Sequence, residues 1–187
     1  MEHLFGLHKA SAGSIGIVCV YLSHKAENQT LEILLRSIVK QLIQRRKSIS
    51  KKTIDTHISC EDGKISPSKD QLIELLRWEV DNLKDTFVVV DALDECSHGV
   101  RVALLDELEK LQPKIHLLVT SRDFGTISDR LEGSVKLEIR AQPQDIQAFI
   151  RAQIDDPENY RLQDFIKLEP KLLQELEKVI INTANGM

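Results

Sequence analysis

The sequence predicts an α/β fold with a largely parallel sheet. Strand-like and helix-like segments alternate along the chain. The apolar run Phe87–Val90 is rich in β-branched residues with almost no polar alternation, which suits a strand buried on both faces. Leucines and isoleucines recur at helical spacing over 31–46 and again from Leu72 to Leu83. At 187 residues, the chain is long enough for one domain with a sizeable core.

Residues 15–22, IGIVCVYL, read as the first strand. Leu31, Leu34, Leu35, Ile38, Val39 and Leu42 share one face of a helix over 31–46, with Arg36, Lys40 and Gln44 opposite. Asn28 or Thr30 can cap it. Residues 47–67 show no periodicity and read as a loop with at most a short helical turn. Ser68 and Gln71 form a capping box. The helix they open buries Leu72, Leu75, Leu76, Val80 and Leu83, and Trp78 is assigned to its core side. The strand 86–90 follows. A helix over 100–111 carries Leu104, Leu105, Leu108 and Leu111 on one side and stops before Pro113. Ile115 to Val119 is another short strand. A helical turn near 126–131 leads to a strand at 135–139, and Pro143 opens a helix to about residue 154. A turn and short helix over 155–168 precede a last helix, 170–184, which Asn185–Gly186 ends.

Chemistry concentrates at two strand ends. The run TFVVVDALDEC ends in Asp91, Asp94 and Glu95. Carboxylates are costly to desolvate, and the carboxyl end of a parallel strand is where open α/β sheets bind ligands. The layout fits a Mg²⁺–nucleotide site in which a strand-end acid holds the metal. The plain alternative is a core strand followed by acids that meet water. The run HLLVTSRD ends in Thr120, Ser121 and Arg122. If that strand lies beside the acidic one, these residues emerge next to Asp91, and Arg122 can meet a terminal phosphate. The plain alternative pairs Arg122 with Asp94 or Asp123.

Other signals carry less. Arg45, Arg46, Lys47, Lys51 and Lys52 read as a solvated basic loop rather than an address or phosphate patch. Gly63–Lys64 is rejected as a phosphate loop, because no glycine precedes it at the required spacing. His98 reads as a surface histidine. Cys19, Cys60 and Cys96 are far apart and form no CxxC pair, which argues against a disulfide framework or zinc site and for a reducing, cytoplasmic compartment. Cys19 is assigned to the core. The net charge of −4 gives no argument for nucleic acid as partner, and no apolar stretch approaches the roughly 20 residues of a membrane helix. Nowhere does the phosphate-cradling sequence G-x-x-x-x-G-K-S/T occur.

The order of these segments resembles the NACHT-type signal-transduction NTPases of the P-loop, STAND class. The likeness is to the nephrocystin-3-like N-terminal domain of fungal proteins with ankyrin, WD or tetratricopeptide repeats. The matching parts are GIVCVYLSHK, TLEILLRSIVKQLIQ, the Walker B stretch VVVDALDEC, the sensor strand LLVTSRD, VKLEI, the helix around Asp145–Ile146, and ANGM. They span about 15–187. The resemblance implies a three-layer α/β/α fold, and Mg²⁺ with ATP or GTP as cofactors in the full-length family. It implies that Asp91 holds Mg²⁺ through water, that Asp94 and Glu95 position the attacking water, and that Thr120, Ser121 and Arg122 line the nucleotide, with Arg122 at the γ-phosphate. Where the family has proline after that arginine, this chain has Asp123. Met1 to Lys9 resembles the tail of the helix after the Walker A loop. The chain is therefore expected to be a partial domain over 1–187, lacking the central Walker A strand and continuing no further into the family's helical parts. Loss of that strand leaves the 135–139 strand with a gap beside it or a shifted partner.

Three functions follow as expectations. The first is a fragment of an NTPase switch that controls oligomerisation and binds nucleotide weakly or not at all by itself. The second is a non-catalytic interaction module that associates with itself or with intact relatives. The third, ranked last, is a metal-dependent hydrolase using Asp91, Asp94 and Glu95.

Overall fold

The computed structural model describes residues 14–26, 28–46, 48–60, 64–122, 125–169 and 171–184. The readings made on Met1–Lys9, Lys47, Gly63, Asp123 and Asn185–Met187 lie outside these residues. The chain divides into two compact units, the first to Glu132 and the second from Gly133. Gly133 has φ of +84°, a left-handed conformation in which a glycine is unstrained.

The first unit is α/β. Its elements are β1 (Ile15–Tyr21), α1 (Leu31–Gln44), α2 (Lys51–Ser59), α3 (Lys69–Asp81), β2 (Asp85–Asp91), a 3₁₀ turn (Leu93–Glu95), α4 (His98–Glu109), β3 (Ile115–Val119) and α5 (Gly125–Arg130). The three strands form a parallel sheet in the order β1-β2-β3. This agrees with the predicted α/β class and with a three-layer α/β/α arrangement. Paired residues of parallel strands share a face. Val18, Val20, Val88, Val90 and Ile115 therefore point together into one core, against Leu35 and Ile38 of α1, Leu72 and Leu76 of α3, and Leu104 and Leu108 of α4. The helical stripes read from sequence are the ones buried.

Local signals explain the helix starts. Thr30 caps α1, Ser68 and Gln71 form the expected capping box on α3, and Ser97 caps α4. Among the described residues, the outer edge of β1 meets side chains and no further strand. Gln41 of α1 accepts from the Cys19 N–H and donates to the Cys19 carbonyl, each at 2.9 Å, and Arg45 donates to the Ile17 carbonyl. An edge whose backbone groups are taken is a poor template for further pairing. The outer edge of β3 has no strand beside it among the described residues.

Several expectations are corrected. β2 alternates buried and half-buried residues, so it is not a strand buried on both faces. On its less covered face Phe87 stacks on His116, with centroids 4.7 Å apart, and Leu118 is 58% exposed. A hollow of about 210 Å³ lies over this face. The loop 47–67 contains α2, capped by Ser50. Its helix buries no residue, so no apolar stripe marks it in the sequence. Trp78 is exposed rather than core, since it sits on α3 away from the leucine stripe, and Cys19 is half-buried. Arg45 and Arg46 are not a solvated loop. Arg45 reaches β1, and Arg46 pairs with the fully buried Glu79 of α3. α4 ends at Glu109, before the residues that lead to Pro113.

The second unit holds α6 (Pro143–Asp155), a 3₁₀ turn (Pro157–Asn159), α7 (Tyr160–Leu168) and α8 (Lys171–Ala184). Pro143 stands in the first turn of α6 as expected. Arg151 of α6 donates to Glu177 of α8 at 3.0 Å. The strand expected at 135–139 does not form. Val135, Leu137 and Ile139 alternate correctly for a strand but are 82% exposed or more, and among the described residues no strand pairs with them.

Candidate functional site

The carboxyl ends of three parallel strands bring the predicted acids and their partners to one rim. β2 delivers Asp91, and the chain then turns sharply. Ala92 adopts φ of 56° and ψ of 50°, a left-handed conformation that costs a residue with a Cβ about 1 kcal/mol. Such strain persists only where surroundings fix it, and it gathers at functional sites. Here the fixing comes from the next strand. Thr120, just past β3, accepts from the Ala92 N–H through its hydroxyl and from the Leu93 N–H through its carbonyl, each at 2.9 Å. Its hydroxyl donates in turn to Asp91 Oδ1 at 2.5 Å. The expectation that Thr120 emerges next to Asp91 therefore holds.

The 3₁₀ turn after Ala92 aims the other two acids. The Asp94 side chain is only 3% exposed. It takes the Arg122 backbone N–H on Oδ1 at 3.1 Å and the Arg122 Nε on Oδ2 at 2.6 Å. The pairing of Arg122 with Asp94, one of the partners read from the sequence, is present. Glu95 accepts from the His24 backbone N–H and meets His24 Nδ1, both at 3.1 Å. His24 follows β1 and went unread in the sequence. Its one signal is its place in Ser23-His24-Lys25, just past the predicted strand. The Ser121 hydroxyl donates to the Arg122 carbonyl at 2.6 Å. His98 is exposed, as read.

Electrostatics follow this geometry. Burial alone pushes the Asp94 carboxyl up, but the hydrogen bonds and charge of Arg122 outweigh it and hold the carboxyl below its ordinary value. The backbone and side-chain hydrogen bonds of His24 hold the Glu95 carboxyl down. The bond to Asp94 raises Arg122 further. Burial pushes the Cys96 thiol up, which keeps it protonated and unreactive at neutral pH.

Both depressed carboxyls contribute stability that is fully present above the unfolded carboxylate range, near pH 4. That contribution is lost as pH falls through their lower folded values. Urea titrations at pH 7 and pH 3 are expected to show a lower midpoint at pH 3. Asp94→Asn should shrink the difference. An unchanged difference in that variant would mean that Arg122 does not stabilise the charged form.

As a metal site the rim is sparse. No group of three or more His, Cys, Asp or Glu residues is placed to hold an ion among the described residues. Asp91 is half-buried with the Thr120 hydroxyl beside it, and carboxylate oxygen is the donor type that Mg²⁺ prefers.

The model of the family described as Nephrocystin 3, N-terminal matches residues 2–122. That span includes β1, β2, β3 and every member of the rim. No curated protein and no solved structure matches the chain.

Proposed function

The chain belongs to the nephrocystin 3 N-terminal family, and on that premise we propose that its rim is the metal and γ-phosphate end of a nucleotide-dependent switch. The observation that carries the reading is the junction of Asp91 and Thr120 across adjacent parallel strands. Asp91 would hold Mg²⁺, which would offset the negative charge of a triphosphate. Asp94 and Glu95 stand on the following turn, where a carboxylate can orient water. Arg122 is 75% exposed, yet Asp94 holds its Nε. A γ-phosphate arriving at the rim competes with Asp94 for this guanidinium. Arginine binds phosphate bidentately, so the exchange conserves its hydrogen bonds while freeing a nearly buried carboxylate. That exchange couples nucleotide state to the turn after β2, and so to self-association or association with relatives of the NACHT type.

The sequence contains no G-x-x-x-x-G-K-S/T, so the reading assigns no backbone cradle for the α- and β-phosphates. Weak binding of Mg²⁺–ATP or Mg²⁺–GTP is expected, with turnover negligible. Calorimetry with each nucleotide, on the wild type and on Asp91→Ala, tests this. Weak heat that needs Mg²⁺ and disappears in Asp91→Ala supports the reading. Binding that persists unchanged in Asp91→Ala removes the metal role from Asp91.

A second reading, a non-catalytic interaction module, is favoured by one observation. Thr120, Arg122 and His24 each occupy one of the three acids. No heat with either nucleotide, together with concentration-dependent mass in sedimentation, would support it over the switch. No helix among the described residues is long and apolar enough to cross a membrane.

A further inference from the structure

The basic run between α1 and α2 has no part in the rim. Its sequence is Arg45-Arg46-Lys47-Ser48-Ile49. Ser48 is exposed and lies outside regular structure, and Ile49 is 59% exposed. Two arginines two and three residues before an exposed serine, with an apolar residue after it, suit an acidic peptide groove that ends in an apolar pocket. A kinase that acts on basic sequences has such a groove. We propose that Ser48 is a phosphate acceptor for a basic-directed serine kinase, and that its phosphate releases α2.

In the transfer, Ser48 Oγ attacks the γ-phosphorus of Mg²⁺–ATP. The new O–P bond forms as the bond to the β–γ bridging oxygen breaks. The hydroxyl proton passes to the kinase's catalytic carboxylate, and ADP leaves.

Recognition and the closed fold exclude each other. Arg45 donates to the Ile17 carbonyl, and Arg46 donates to Glu79 and to the Asn82 carbonyl. A kinase can read these arginines only when the segment lifts away. Lifting takes none of α2's own side chains out of a buried site, because α2 buries no residue. What holds α2 is polar: Ser50 and Thr53 on Glu79, at 3.0 and 2.9 Å, and Lys52 on Glu74 at 3.0 Å. Elements held in this way open locally, without unfolding the leucine core. Once made, a phosphate near charge −2 on Ser48 offers Arg45 and Arg46 a charge-assisted partner in place of Ile17 and Glu79. The modified chain therefore favours the open form. As Ser50 and Thr53 depart, water reaches Glu79.

The test uses the whole chain with the catalytic subunit of the cyclic-AMP-dependent kinase and Mg²⁺–ATP. Peptide mass spectrometry locates the phosphate, and hydrogen exchange reads α2. One phosphate is expected on Ser48, with none transferred to that segment in Ser48→Ala. Glu79→Gln, checked for folding by circular dichroism, should be labelled roughly tenfold faster, because losing a charge-assisted bond favours opening. If that variant does not fold, Thr53→Ala removes one bond from the same carboxylate and should also label faster. Amides of 51–59 should exchange faster after modification. A folded chain that stays unlabelled at Ser48 overturns the proposal, as does labelling at the wild-type rate in the loosened variant. Unchanged exchange over 51–59 in the phosphorylated chain overturns the release of α2.

Discussion

Replacing Arg46 with alanine is expected to lower the unfolding free energy by about 3 kcal/mol, the scale for a buried carboxylate that loses its cation. The Glu79 side chain is wholly buried, and that of Arg46 is 19% exposed. Among the described residues, removing the guanidinium leaves Glu79 with the hydroxyls of Ser50 and Thr53. Those are neutral donors, and they cannot offset a buried charge. The loss should spread to the junction of α1, α2 and α3, because Arg46 also donates to the Asn82 carbonyl at the end of α3. Replacing both partners together, Arg46→Met with Glu79→Leu, should cost much less than Arg46→Ala alone, since no charge is then stranded. Urea denaturation followed by circular dichroism measures both. A loss below about 1 kcal/mol in Arg46→Ala would mean that water reaches Glu79 without difficulty.

This junction was illegible in the sequence for a physical reason. Glu79 lies among Leu75, Leu76 and Val80, and helical spacing places it on the buried stripe, where a carboxylate looks out of place. Its partners are 26 to 33 residues away in the chain. Periodicity reads which face is buried, but it does not read which cation comes to meet a buried acid. α2 escaped notice for a related reason. Its docking is polar and long-range, so it leaves no apolar pattern. By contrast α1, α3 and α4 were legible because each buries a continuous apolar stripe. The segment 135–139 shows the opposite failure. Its alternation is that of a strand, but strands exist by pairing, and the neighbour it requires is not written in those five residues.

The rim was legible as far as strand ends can be read. An acid closing one apolar run and Thr-Ser-Arg closing another placed Asp91, Thr120 and Arg122 together as soon as β2 and β3 became neighbours. Which acid takes the arginine was open in the sequence. The short turn through Ala92 decides it, by swinging Asp94 back across the end of β3. His24 was missed because its link to Glu95 depends on β1 lying on the far side of β2.

Substituting Gly16 with valine is expected to cost about 3 kcal/mol, at the upper end of the range for overpacking a core. The change favours a strand by propensity, so the cost comes from space. A Cβ at Gly16 would lie 2.8 Å from Leu83 Cδ1, 2.9 Å from Leu42 Cδ2 and 3.1 Å from Thr86 Oγ1. Leu42 and Leu83 are themselves buried, so their methyls have little room to retreat. The relief available is to push α1 off β1. That movement stretches the two bonds from Gln41 to Cys19 and the one from Arg45 to Ile17 that cover the edge of β1. Exposure of that edge adds a second symptom, a rise in self-association at concentrations where the wild type does not aggregate. Pairing Gly16→Ala with Leu42→Ala should cost less than the sum of the single changes, because the new methyl fills part of the space that Leu42 leaves. Thermal unfolding and sedimentation of the set check both effects. Strict additivity would mean that α1 already stands clear of Gly16.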